Sequence, residues 1–328
     1  MNISRTLYSC EHTEYAVSYT PDVVYAHRET GDLKLQIVMP AEPILPPPEN
    51  PPELTPVQKK YIGWKGGGTW KKAPDPDERY PLILACPGSG WAGAEGYRYL
   101  PHLVELARHG FVAAAIGYRG VYKDNVVYPA TVQDMRDALR FLCDTAVQWH
   151  IDTARIGLMG DSSGGNTAAM AALAGESLPG LPDHPTRIGE QPENVKALCL
   201  IYAPVDAVNL AQDRIAEGLT LRPGEEPGRP FECMELWQEE YLRDPDTYLK
   251  AASPLYCLEE GKPIPPVLFV QGDADLIIPQ AQGLRFCDRV RACGGRAEYV
   301  KVCGGGHGTG VWGKEMLETV AQFFRAYL

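Results

Sequence analysis

Residues 156–173 read IGLMGDSSGGNTAAMAAL. An apolar run of strand character passes through Gly-Asp-Ser-Ser-Gly-Gly into a small-residue segment of helical spacing, so a buried strand turns sharply into a helix after Gly164. The same alternation continues on both sides. YPLILACPG (80–88) and GFVAAAIGYR (110–119) are short, nearly all-apolar runs ending at glycine, the mark of strands covered on both faces. Between them YRYLPHLVELARHG (97–110) has helical spacing and a glycine stop, and TVQDMRDALRFLCDTAVQW (131–149) sets Val132, Met135, Leu139 and Leu142 on one face. VKALCLIYAP (195–204), PVLFVQGDAD (266–275), PQAQGLRFCDRVRA (279–292), AEYVKV (297–302) and GKEMLETVAQFFRAYL (313–328) complete the series. Strand–helix alternation of this kind predicts an α/β fold, a mainly parallel sheet with helices on both faces.

Three segments stand outside that rhythm. VVYAHR (23–28) and LKLQIVM (33–39), joined by ETGD, predict a hairpin. Residues 40–56 then hold eight prolines and GWKGGGTW follows, so 40–79 is expected to be an ordered surface connection, with a disordered linker as the alternative. The expected division is an N-terminal hairpin and Pro/Gly-rich extension over 1–79, packed on an α/β domain over 80–328. Residues 205–262, an insertion between two strands that carries ECMELWQEEYL, are expected to form a cap or else a plain excursion.

Bulk properties narrow the function. A net charge of −11, with no basic run, argues against nucleic acid or an anionic membrane as partner. The first residues lack an apolar signal-peptide core and no run approaches 18 apolar residues, so the expected location is cytoplasmic, although a chain trimmed of a leader reads the same way. The nine cysteines are scattered without a C-x-x-C pair, and Cys86, Cys143 and Cys199 lie in apolar patterns, which predicts buried free thiols rather than disulfides or a metal site.

The chemistry centres on Gly160-Asp161-Ser162-Ser163-Gly164. A serine hydroxyl is a poor nucleophile until a base takes its proton, so it must stand clear of the sheet on a tight turn. Gly-x-Ser-x-Gly between a strand and a helix meets that need and predicts Ser162 as nucleophile. The backbone N–H of Ser163, beside the helix N-terminus, is then expected to stabilise a developing oxyanion. A base is required downstream. His184 lies in the proline-flanked PDHPT, whereas His307 sits in CGGGHGTG directly after a strand and is the expected base. His12, His27, His102, His109 and His150 have no comparable context. For the acid, LFVQGDADLIIP offers Asp275, with Asp273 as the near alternative and Asp206 as a more distant one. ACPGSGW (85–91) is the glycine-rich loop expected to supply the remaining oxyanion donors, Ser89 and Gly90, and Trp91 beside it is a candidate to touch substrate. Trp237 and Tyr241 in the insertion are candidates for the same role.

These segments resemble the α/β-hydrolase superfamily, and more narrowly the esterase/lipase branch that holds hormone-sensitive-lipase-like carboxylesterases and feruloyl or acetyl-xylan esterases. The resemblance spans about residues 80–328. It rests on PGSGW where that branch has His-Gly-Gly-Gly-Trp, on YPATVQDMRDALRFL, on IDTARIGLMGDSSGGNTAA, on GDADLIIP and on GGGHG. It departs at Pro87, which replaces a histidine, and at Ser89, which replaces a glycine. The resemblance implies Ser162, Asp275 and His307 as a catalytic triad acting on short-chain acyl esters, such as acetylated or feruloylated carbohydrates, without metal or cofactor. An amidase or peptidase of the arylformamidase kind, or a ligand-binding homologue without turnover, is the alternative.

Overall fold

Apolar runs that are buried on both faces become the strands of one sheet. The computed structural model of the chain describes residues 15–43, 77–179, 194–227 and 242–328, with 188, 190, 192, 229 and 236. Tyr15–Arg28 (β1) and Gly31–Pro43 (β2) form the expected hairpin, longer than its sequence signal. Tyr80–Cys86 (β3), Val112–Ile116 (β4), Ile151–Asp161 (β5), Val195–Ile201 (β6), Val267–Gly272 (β7) and Ala297–Val302 (β8) follow. Among the described residues they make an eight-stranded sheet in the order β1-β2-β4-β3-β5-β6-β7-β8. β2 runs antiparallel to both neighbours, and all other pairings are parallel. The hairpin thus extends the same sheet, with Ile37 opposite Ala114 in the register of β2 and β4. Most of the proline-rich connection, and the loop around His184, lie outside the described residues.

Side chains alternate across a strand, and the two faces of β3 show it. Leu82 and Leu84 join one buried cluster with Met135, Leu139, Met170 and Phe286, while Ile83 and Ala85 join another with Leu103, Leu106, Val320 and Phe324. Among the described residues the helices are Leu100–Arg108 (α1), Ala130–Asp144 (α2), Ser162–Leu173 (α3), Leu210–Ala216 (α4), Pro245–Ala251 (α5), Gln280–Ala292 (α6) and Lys314–Tyr327 (α7). α1 and α7 cover one face, and α2, α3 and α6 cover the other. Full burial of each such aliphatic or aromatic side chain contributes about 1.5–3 kcal/mol, which is why β3, β4 and residues 267–270 of β7 read as unbroken apolar runs.

The helix after β5 starts earlier than its glycines suggest. α3 begins at Ser162, so Gly164 and Gly165 lie inside its first turns. They are there because the backbone approaches closely: a Cβ on Gly164 would stand 2.1 Å from the Cys86 carbonyl oxygen, which has no room to give. The close contact seats α3 against the end of β3.

The described part of the 205–262 insertion is tied down by buried charge. Fully buried Asp206 meets Arg285 Nη1 at 2.7 Å, and Asp213 meets Arg285 Nη2 at 2.6 Å. Arg214 pairs with Glu225 in the interior and donates from Nε to the Ile277 carbonyl at 2.9 Å. Removing one partner of such a pair strands the other charge in a low dielectric, at a cost of about 3–5 kcal/mol. Trp237 and Tyr241 lie outside the described residues.

Candidate active site

The loops that follow β3, β5, β6, β7 and β8 leave the sheet at one edge, the carboxyl ends of its parallel strands, where open α/β sheets form their crevice. Ser162 is the first residue after β5 and adopts φ +51°. A left-handed backbone costs a non-glycine residue about 1–2 kcal/mol, and the strand–helix junction imposes it here. The side chain is thereby carried above the strand ends. Its Oγ lies 2.9 Å from His307 Nε2, and His307 Nδ1 lies 2.8 Å from Asp275 Oδ2. A carboxylate only accepts, so Nδ1 carries the ring proton and Nε2 is free to accept the Ser162 hydroxyl.

Asp275 is held by four N–H groups. Oδ1 accepts from the backbone amides of Ile277 (2.8 Å) and Ile278 (2.9 Å), and Oδ2 accepts from Gln271 Nε2 (3.1 Å) as well as His307. Its side chain is 1 % exposed, against 17 % for His307. The turn itself is fixed from behind, because Gln271 Nε2 also donates to the Ile278 carbonyl and Arg214 donates to that of Ile277. The other two aspartates have different partners: Asp273 accepts the Gly304 amide at 2.6 Å, and Asp206 is engaged with Arg285. The loop after β8 is joined to this turn by Ala274 N–H donating to the Gly305 carbonyl at 2.9 Å, which sets His307 over Asp275.

The loop over residues 87–91 folds onto the same junction. Gly90 and Trp91 adopt φ +63° and +59° in succession. Tyr118 Oη donates to the Pro87 carbonyl at 2.7 Å and lies 2.8 Å from Ser89 Oγ, while Arg98 donates to the Gly88 carbonyl at 2.7 Å. Burial pushes the Tyr118 phenol well above its ordinary range, so it stays an O–H donor. Two expectations meet a different arrangement. The Ser89 amide donates to Ser163 Oγ at 2.9 Å, because the hydroxyl of the residue after Ser162 reaches the loop. Trp91 is 3 % exposed and belongs to the core cluster with Tyr118 and Val121, so its ring is turned into the interior rather than toward an open cleft. Among the described residues no hydrogen bond engages the Gly90 amide, and the Ser163 amide stands in the first turn of α3, where helix N–H groups lack intrahelical partners.

The arrangement can move a proton from a hydroxyl to an imidazole backed by a carboxylate, with amides beside the hydroxyl to receive negative charge. Among the described residues no group of three or more His, Cys, Asp and Glu side chains is placed to hold a metal ion. Gln271 and Tyr118 escaped the sequence reading. For Gln271 a signal was present: a polar residue within the apolar run VLFVQG is fully buried and must find partners. Tyr118, after a glycine at the end of β4, carried none.

Comparison with known proteins agrees with this architecture. Residues 72–290 match the family model BD-FAE. The chain is 25% identical over 244 residues to esterase LipC of Mycobacterium tuberculosis, a match that covers 73% of this chain and 55% of the relative. It therefore spans about half the length of the curated relatives it matches. A truncated form of a carbohydrate esterase from gut microbiota superposes with a TM-score of 0.68 at 21% identity, covering 97% of this chain and 98% of that one. The butyrate-bound thermophilic esterase Est2 of the planctomycete Thermogutta terrifontis gives a TM-score of 0.62 at 22% identity, covering 95% and 94%. The fold is that of an α/β-hydrolase.

Proposed function

The chain belongs to the BD-FAE family, and from that premise we propose that it is a carboxylesterase-type serine hydrolase working through an acyl-enzyme. The observation that carries the reading is the Ser162–His307–Asp275 relay, with contacts of 2.9 and 2.8 Å. His307 Nε2 takes the Ser162 proton as Oγ bonds to the ester carbonyl carbon. The tetrahedral oxyanion is met by the amides of Gly90 and Ser163, and the Ser89 amide, bonded to Ser163 Oγ, sets the shape of the loop. Asp275 holds the imidazole orientation and stabilises the imidazolium. Nε2 then returns the proton to the departing alkoxide as the carbonyl carbon–oxygen bond breaks. Water, deprotonated by the same imidazole, attacks the acyl carbon; the bond from that carbon to Oγ then breaks, Nε2 returns the proton to Ser162 Oγ, and the carboxylic acid leaves.

Short acyl esters of carbohydrates are the substrate class this reading favours. Support comes from the carbohydrate esterase and the butyrate-bound esterase that share the fold. The net charge of −11 suits neutral partners better than nucleic acid, and no helix among the described residues is long and apolar enough to cross a membrane. A matched pair of substrates tests the reaction class. p-Nitrophenyl acetate is expected to turn over at least about 100-fold faster than 4-nitroacetanilide, and the acetate and butyrate esters faster than the laurate. An anilide cleaved as fast as the ester would overturn the ester assignment.

A further inference from the structure

One carboxylate touches both the oxyanion loop and the support of the imidazole. Asp161 occupies the N-cap position of α3, where a short acidic side chain ordinarily accepts a helix amide, yet it makes no capping bond. Its oxygens are turned elsewhere. Oδ1 accepts the Gly88 amide at 2.7 Å and the Tyr99 hydroxyl at 2.7 Å, and Oδ2 accepts the Tyr202 hydroxyl at 3.2 Å.

Tyr202 has an unusual backbone. It is the first residue after β6, it is buried, and it adopts φ +38°. A bulky residue in that region is strained, and such strain persists where the surroundings over-determine it, commonly at functional sites. The conformation sets the phenol ring against the base: the ring centroids of Tyr202 and His307 are 4.6 Å apart, tilted by 52°. The hydroxyl is held from the other side by Trp312 Nε1 at 2.6 Å, a residue of the same loop as His307. Burial, reinforced by the charge of Asp161, pushes the Tyr99 and Tyr202 phenols well up, so both remain O–H donors to the carboxylate.

We propose that Asp161 and Tyr202 form one positioning unit, in which Asp161 fixes the oxyanion loop through Gly88 and fixes the tilt of His307 through the Tyr202 ring. The proposal rests on the esterase reading and extends it to two residues that touch no substrate. Because Asp161 directly precedes Ser162, loop and base are both registered to the backbone point that carries the nucleophile. Misplacing either by about 1 Å can cost on the order of 100-fold in rate.

The test uses the full chain with p-nitrophenyl acetate. Asp161→Asn is expected to lower kcat about 10- to 100-fold and Tyr202→Phe about 10-fold, each with KM changed less than about threefold, because orientation in the transition state is lost and binding is not. The double variant is expected to fall no more than about threefold below Asp161→Asn, since the two side chains act through one contact. Tyr202→Phe removes a single oxygen and keeps the ring, so it reads the contact even if Asp161→Asn fails to fold. Variants that keep kcat within twofold while losing thermal stability, losses that multiply independently, or losses confined to KM would each overturn the unit. Labelling of wild type by a fluorophosphonate separates the two claims: wild type that neither labels nor turns over ester overturns both, whereas active wild type beside active variants overturns only this one.

Discussion

Ser162→Ala is expected to lower kcat/KM for p-nitrophenyl acetate by about 10^4- to 10^6-fold, while KM changes little. The substitution removes one oxygen at a partly buried position and leaves the strained turn at φ +51° in place. Folding should survive, as unchanged circular dichroism would show. His307→Ala is expected to cost nearly as much, and the double variant no more than the worse of the two. A nucleophile without its base and a base without its nucleophile are equally idle, so the losses cannot add. Residual activity above the uncatalysed rate should persist through the amides beside position 162. An alanine variant within tenfold of wild type would remove Ser162 from the reaction.

Asp275→Asn is expected to lower kcat about 10^4-fold with the fold intact. The reason lies in how the carboxylate is shared. Oδ1 accepts two backbone amides, those of Ile277 and Ile278, so the single carbonyl oxygen of asparagine must take that side. The NH2 group then faces His307 Nδ1 in place of Oδ2. Two donors cannot meet, so the ring proton moves to Nε2, and the nitrogen next to Ser162 Oγ can no longer accept. The loss is one of tautomer rather than of packing, which distinguishes it from a damaged core. Steady-state kinetics beside a denaturation curve checks it: a large fall in kcat with a similar unfolding midpoint is expected, and a variant retaining a tenth or more of wild-type kcat would mean that Asp275 does not set the tautomer.

Local signals carried most of the architecture. The buried strands were legible because parallel strands covered on both faces are nearly all apolar, and α2, α6 and α7 because their apolar residues recur at helical spacing. Ser162 stood out because Gly-x-Ser-x-Gly falls between a strand and a helix, and His307 because it sits in a glycine-rich loop directly after a strand. The choice between Asp273 and Asp275 was not fixed by sequence, since the residues are two apart on one loop. It depends on the turn amides at 277 and 278, which hold the side chain of Asp275 on His307, and on the Gly304 amide, which occupies Asp273. What sequence could not show are contacts between distant segments. The bond from Tyr99 to Asp161 spans 62 residues and that from Tyr202 to Asp161 spans 41, so nothing in the motif around Ser162 announces them. The engagement of the Ser89 amide by Ser163 Oγ, across 74 residues, is of the same kind.

Convergence of one hydroxyl and one imidazole, 145 residues apart in sequence and 2.9 Å apart in space, is the claim on which the rest stands. Its most direct test is peptide mapping after fluorophosphonate treatment. Trypsin should release residues 156–187 as one peptide that contains Ser162, Ser163 and Ser177. The expected result is a single adduct on Ser162 in wild type and none in His307→Ala over the same exposure. An adduct on another serine, or equal labelling with and without His307, would contradict the account.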